Sequence, residues 1–205
     1  MPAVFKAPAG MVETPQQVEQ QKTKKLLKIS AIVVLVLALL LLIDTYVLQI
    51  FVVNGISMQP TLHTGQVLMV WKLPQTWADI TGEQYIPKRY NLVVINNQNS
   101  EHEQLVKRVI GLPGDTVVID NNIRIYNTLN KNGFNPNAQP FAKKLLNPVG
   151  TFYTTVDPGQ VFLMGDNRFP AASIDSRSSL GNISSKDIIG QVVLRLYPFS
   201  KIASF

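Results

Sequence analysis

Three short segments of the 205-residue chain hold residues whose types and spacing could do chemistry. The first is Gly55-Ile-Ser57-Met58-Gln-Pro60-Thr61-Leu62. A serine between a glycine and a rigid proline turn can present its hydroxyl at a strand end, although a plain Gly/Ser turn reads the same way. Position 59 is Gln, so this is not the G-x-S-x-G nucleophile elbow. A serine also needs a base to become a nucleophile. The second segment, Val106-Lys107-Arg108-Val109-Ile110-Gly111-Leu112-Pro113-Gly114-Asp115, sets a lysine in an apolar stretch. At its ordinary pKa only about one lysine amine in 2,500 is neutral at pH 7, so a lysine base requires burial. A solvated strand lysine is the alternative. The third segment is Met164-Gly165-Asp166-Asn167-Arg168, followed by Ser173-Ile-Asp175-Ser176-Arg177 and Gly181. Acids, hydroxyls and arginines at that density make either a hydrogen-bonded network or a run of structural turns.

Composition narrows the remaining chemistry. With no cysteine there is no thiol nucleophile, disulfide or thiolate metal site. His63 and His102 stand alone, without a second ligand at helix or hairpin spacing, so no metal and no cofactor are expected. The chain is 46% apolar and 16% charged, which excludes a disordered protein. Half of the +6 net charge falls in residues 1–28, where five Lys face two Glu. That cluster adjoins an apolar run instead of decorating the folded part, which favours a membrane over a nucleic acid.

The elements that must position these residues follow. Lys22, Lys24, Lys25 and Lys28 precede thirteen uninterrupted apolar residues, 31–43. As a helix, residues 26–46 reach about 31 Å, enough for a hydrocarbon core of about 30 Å. No Ala-x-Ala cleavage signal follows, so the segment reads as an uncleaved anchor. Lysines before it and Asp44 after it place the N-terminus in the cytoplasm and the rest of the chain outside. Residues 1–25 then form a cytoplasmic tail, flexible at least over 1–21, 26–46 a transmembrane helix, and 47–205 an extracytoplasmic domain. Short Val/Ile/Phe/Tyr-rich runs at 47–53, 67–71, 92–95, 105–110, 117–119, 160–164 and 190–196 predict a mostly β domain. Asp120 and Asn122 predict a hairpin over 117–126, and Asp157-Pro-Gly159 a turn before a strand. Residues 127–150, Asn-rich with three prolines, read as an inserted loop or small subdomain. Asp175 and Arg177, two apart, would face one side if they lay on a strand.

Anchor, G-x-S-M-x-P-T-L, K-R-V-I-G-L-P-G-D, then M-G-D-N-R with a later S-x-D-S-R: in this order the chain resembles the bacterial type I signal peptidases over roughly residues 25–205. The single anchor and the ending Arg195-Leu-Tyr-Pro-Phe-Ser-Lys-Ile202 resemble the Gram-positive branch. The resemblance implies an antiparallel β catalytic domain and a membrane-anchored serine endopeptidase. It would remove signal peptides from secreted preproteins after a small-x-small motif. It implies Ser57 as nucleophile and Lys107 as general base, and support from Gly55, Met58, Asp166, Asn167, Ser173, Asp175 and Arg177. The preprotein would lie extended along strand edges at Phe51, Val53, Gln104 and Val106. The partners would be preprotein signal peptides and a lipid bilayer, with no nucleic acid and no metal.

Four positions depart from the family pattern. Arg89-Tyr90-Asn91 stands where the family often has R-G-D, and Gly65-Gln66 where it has G-D. Four residues, Phe169 to Ala172, separate the G-D-N-R box from Ser173 where two are usual. Gly55 occupies a site where some relatives place a serine that helps hold the oxyanion. Two rivals differ in class. One is a catalytically silent, membrane-tethered binding module on the same fold. The other is a self-cleaving repressor-type peptidase, which would need a DNA-binding domain that the sequence lacks.

Overall fold

A computed structural model describes residues 15–100 and 103–205. Residues 1–14 of the expected tail, and His102, lie outside the described residues. The chain divides into two compact units, 1–43 and 44–205.

The first unit is dominated by helix α1 (Pro15–Tyr46). It begins at Pro15, so the latter part of the segment read as a tail is helical. Gln, Glu, Lys and Leu lose little side-chain freedom in a helix, and proline fits its first turn. Its apolar part averages a hydropathy of 3.1 with no buried residues, and it is long and apolar enough to cross a membrane. The hydroxyl of Ser30, next to the apolar stretch, donates to the Leu27 carbonyl at 2.9 Å, so its polarity is absorbed by the helix itself.

The second unit is built of antiparallel strands: β1 (Leu48–Val52), β2 (Val67–Trp71), β3 (Leu92–Asn96), β4 (Gln104–Gly111), β5 (Thr116–Asp120), β6 (Ile123–Tyr126), β7 (Thr151–Thr155), β8 (Gln160–Met164), β9 (Ile183–Ser184), β10 (Ile188–Tyr197) and β11 (Ala203–Ser204). The larger sheet runs β1-β2-β10-β3-β4-β8-β9, with β11 added to β10; the smaller runs β6-β5-β7. The expected β5–β6 hairpin forms, and Asn121 at its tip takes the positive φ of 48° that asparagine tolerates.

Three packed clusters make the core. One, around Val53, Met58, Leu62, Leu68, Val94 and Val106, lies directly beneath the serine segment. The second joins β3, β4 and β8 through Val93, Val109 and Leu163. The third fills the space between the sheets around Ile110, Val117 and Phe162. Apolar residues on both faces of β3 and β4 explain why those strands read as continuous apolar runs and not as alternations.

Helix α2 and strands β7, β9 and β11 were not foreseen. Helix α2 (Leu73–Thr81) buries only Gln75 and Ala78, so it lacks the apolar inner face by which a helix is recognised. Strand β7 follows the loop region and carries Thr and Tyr at its exposed positions. Residues 127–150 contain two 3-10 turns, Pro136–Ala138 and Pro140–Lys144, and touch β6 through an isolated bridge between Ile125 and Phe134.

Candidate active site

Strand alternation organises the site. Lys107 and Arg108 are successive residues of β4 and point to opposite faces. Lys107 is 1% exposed, and its Nζ donates to Ser57 Oγ at 3.0 Å and to its neighbour's carbonyl, Val106 O, at 3.1 Å. Burial lowers its pKa from 10.5 to about 8; the charges of Asp175 and Glu103 oppose that shift without cancelling it. About one amine in ten is then neutral at pH 7, against about one in 2,500 for a free lysine.

Ser57 is half-buried just beyond β1, at the end of a turn entered through Gly55. Gly55 has φ 96°, a conformation that L side chains rarely adopt. After the serine, Met58 is buried in the first core cluster, and its carbonyl accepts the Leu62 N–H at 2.9 Å. The serine hydroxyl therefore sits on a segment pinned on both sides.

The third sequence segment holds Ser57 from above. The Asn167 N–H donates to the Ser57 carbonyl at 2.9 Å, and Asn167 Nδ2 to the Ile56 carbonyl at 3.1 Å. Gly165 makes this approach possible: a Cβ there would lie 2.5 Å from the Ser57 carbonyl and 2.3 Å from Ser173 Oγ, a clash with fixed backbone.

Asp166 ties all three segments together. It accepts Arg108 Nε at 2.8 Å and Arg108 Nη2 at 2.6 Å, a two-pronged buried pair, and the Thr61 hydroxyl at 2.5 Å. Arg108 also donates to the Tyr90 carbonyl at 2.8 Å and stacks on the Phe141 ring at 4.1 Å, which brings the 127–150 segment against this support.

Asp175 is fully buried and accepts the Gly165 N–H at 2.9 Å, Arg177 Nε at 2.9 Å and Arg177 Nη2 at 2.8 Å. Burial alone would raise its pKa, but the hydrogen bonds and charge of Arg177, with the Gly165 N–H, hold it below the ordinary carboxylate value. Ser173 lies near enough to favour the same charged form, although its buried Oγ falls short of hydrogen-bond geometry. Asp175 and Arg177 do not lie on a strand. They begin a tight turn in which the Ser178 N–H donates to the Asp175 carbonyl at 2.8 Å, and Arg177 folds back on Asp175 across it. Side chains two apart meet there because the backbone reverses, not because of strand alternation.

The residues expected along the substrate edge divide. Val53 and Val106 are buried in the first core cluster, so their side chains are spent on packing. Phe51 and Gln104 are half-buried. Gln49 Nε2 donates to Gln104 Oε1 at 3.0 Å, joining β1 to the start of β4. Sequence reasoning missed Thr61, Arg108 and Tyr90 as parts of the site. Arg108 could have been found, since β4 reads as a run covered on both faces, which buries the residue beside Lys107 on the opposite face.

Tyr90 explains one departure from the family pattern. It has φ 75°, the region that favours glycine, in the loop where relatives often carry one. The strain, about 1–2 kcal/mol, is offset by packing: its ring lies 5.3 Å from that of Phe141. Among the described residues no cluster of His, Asp and Glu could hold a metal ion.

Comparison with known proteins shows the family. The family model "Signal peptidase, peptidase S26" matches residues 25–197. The chain belongs to the signal peptidase family. A signal peptidase I from Bacillus caldolyticus is 36% identical, over 77% of this chain and 84% of its own length. Signal peptidase I T from Bacillus subtilis (strain 168) is 34% identical, over 91% of this chain and 93% of its own. A signal peptidase I of known crystal structure, from Enterococcus faecalis V583, is 26% identical, with a TM-score of 0.41; it covers 53% of this chain and 98% of its own. Family membership makes the chain a bacterial type I signal peptidase relative, and signal-peptide cleavage the activity that goes with it.

Proposed function

We propose that this chain is a membrane-anchored serine endopeptidase using Ser57 as nucleophile and Lys107 as general base. The observation that carries the reading is the 3.0 Å contact between Ser57 Oγ and a buried lysine amine whose pKa is lowered to about 8. In the first step Ser57 Oγ attacks the scissile carbonyl carbon while its proton passes to the neutral Lys107 amine. The resulting ammonium gives that proton to the leaving amine as the peptide C–N bond breaks, leaving an acyl-enzyme. Water then attacks the ester carbonyl, Lys107 takes the water proton, and Ser57 Oγ leaves with it restored. The Ser57 N–H, which donates to no backbone acceptor among the described residues, is free to receive the oxyanion. Asn167 fixes the peptide plane that aims it.

The preprotein enters extended, between the open edge of β1 and the first half of β4. β1 pairs only with β2, and β4 pairs with β8 only from Arg108 onward, so both edges have backbone groups to spare. The domain division follows the sequence reading: a cytoplasmic tail, residues 26–46 across the membrane, and the β unit outside, with 127–150 as an insertion. Cleavage after a small-x-small motif belongs to the same proposal. The test is cleavage of a model preprotein by purified protein in detergent. Activity lost in both Ser57→Ala and Lys107→Ala, with melting unchanged in Ser57→Ala, supports the dyad. Lys107→Ala cleaving within tenfold of the parent would refute it.

A further inference from the structure

Beyond Ser57 the chain turns through Gln59 and Pro60, and a small pocket opens there that the mechanism leaves unused. It is lined by Gln59 and Pro60, by Asn167 and Phe169, and by Lys144 and Leu146. Its volume of about 250 Å³ is room for one or two side chains, less than a drug-sized ligand needs. Two peculiarities of this sequence build it. Lys144 and Leu146 come from the 127–150 insertion, and Phe169 opens the four-residue gap between the G-D-N-R box and Ser173.

Asn167 places the pocket beside the reacting serine, because its N–H and Nδ2 donate to the Ser57 and Ile56 carbonyls. None of the lining belongs to β1 or β4, the strands proposed to hold the part of the preprotein before the scissile bond. A chain bound through those strands and cut at Ser57 has to leave the site on another side.

The charge around the pocket is one-signed. Arg168 borders it, is 1% exposed, and stays charged at neutral pH, since burial lowers its pKa only to about 10. Its Nη1 meets only the sulfur of Met164, and its Nε and Nη2 have no hydrogen-bond partner. The carboxylates whose charge reaches it, Asp166 and Asp175, are already held by Arg108 and Arg177. Lys144 is exposed and makes no ion pair among the described residues. Uncompensated positive charge is left facing a cavity of side-chain size, a setting that suits an anionic group.

We propose that this pocket receives the first residues after the scissile bond, the N-terminal end of the released protein, and selects a carboxylate among them, with Lys144 as the specificity-determining residue. This deepens the reading of Ser57 as nucleophile and rests on it. An extended chain advances about 3.3 Å per residue, so a pocket beside Ser57 is reached within two or three residues of the bond. Arg168 supplies fixed charge at the border, and Lys144, on its flexible stem, meets the carboxylate. The contact is partly solvated, so its effect is severalfold and not orders of magnitude.

The test uses the full chain in detergent and peptides that share one sequence before the bond and carry Glu, Gln or Lys at each of the first four positions after it. At one of the first three positions kcat/KM is expected to favour Glu over Gln by about threefold to fivefold, and Glu over Lys by about tenfold. Lys144→Arg should keep that order, and Lys144→Glu should invert it. A ratio between peptides does not depend on how much of a variant folds. Indifference to charge at all four positions would overturn the proposal, as would a Glu preference that Lys144→Glu leaves unaltered. An equal response to Glu placed before the bond would also overturn it, because the charge would then act on the whole peptide and not in a pocket. Ser57→Ala keeps the two claims apart. Cleavage that survives it refutes the nucleophile, whereas cleavage that it abolishes, by a parent indifferent to charge, refutes the pocket alone.

Discussion

Lys107 and Arg108 are neighbours on one strand, both cationic and both buried, yet they sit in opposite electrostatic situations. Arg108 meets a carboxylate in two-pronged geometry, a carbonyl and an aromatic face. Lys107 meets a hydroxyl and a carbonyl, with its nearest interacting charges, Asp175 and Glu103, too weak to offset burial. A buried charge with a full set of partners stays charged and holds segments together. A buried amine without a close carboxylate gives up its proton near neutrality and can act as a base. The difference between scaffold and reactivity here is one residue of strand alternation.

Breaking the two sides of β4 should therefore have different consequences. The largest expected effect is on rate: Lys107→Met should lower kcat/KM by roughly 10³-fold or more, with Ser57→Ala/Lys107→Met no worse than either single change. The same substitution should stabilise the fold. An amine whose pKa falls from 10.5 to about 8 destabilises the native state by about 3 kcal/mol at low and neutral pH. The unfolded chain binds the proton more tightly, so stability rises with pH between about 8 and 10.5, and this cost disappears there. Lys107→Met should melt higher than the parent at pH 6, with the gap closing towards pH 10. Thermal melts across pH check this, and an unchanged or lowered melting temperature at pH 6 contradicts it.

On the other face the order reverses. Arg108→Ala strands Asp166 and should cost about 3–5 kcal/mol of stability, read by denaturant unfolding. Arg108→Met combined with Asp166→Leu should recover much of that loss while activity stays low, because Thr61 and the Gly165–Asn167 backbone lose their common anchor. A smaller effect is expected at Arg177. Arg177 itself is partly exposed, and the buried Asp175 keeps the Gly165 N–H when Arg177 is removed, so Arg177→Ala should lower stability by about 1–2 kcal/mol and activity with it. Total loss of activity at unchanged melting temperature would assign Arg177 a direct role.

The smallest effect sharpens the comparison at its edge. Tyr90→Gly relieves the backbone strain at φ 75° but removes the stack on Phe141. The two terms nearly cancel, so a change within about 1 kcal/mol is expected.

What the sequence reveals depends on how local the physics is. The apolar helix and most of the strands were legible, because burial on one or both faces writes itself into consecutive residues. The Lys107 segment could be recognised as a base only conditionally, since its pKa depends on burial against segments distant in sequence, the Ser57 turn among them. Asp175 and Arg177 were expected to meet, but the meeting is made by a turn that Ser178 closes and that residue spacing alone does not specify. Helix α2 was missed because its large apolar residues face outward, the opposite of the pattern that betrays a soluble helix. The role of Tyr90 was hidden because φ is a property of the folded loop, visible in sequence only as a departure from relatives.

The most direct test of the account is the pH dependence of kcat/KM on a short soluble peptide cleaved by the full-length protein in detergent. The account predicts a tenfold rise per pH unit on the acid limb, bending over near pH 8 as the Lys107 amine loses its proton. A profile flat from pH 5 to 9, or one bending in the range of a carboxylate or an ordinary histidine, would contradict it.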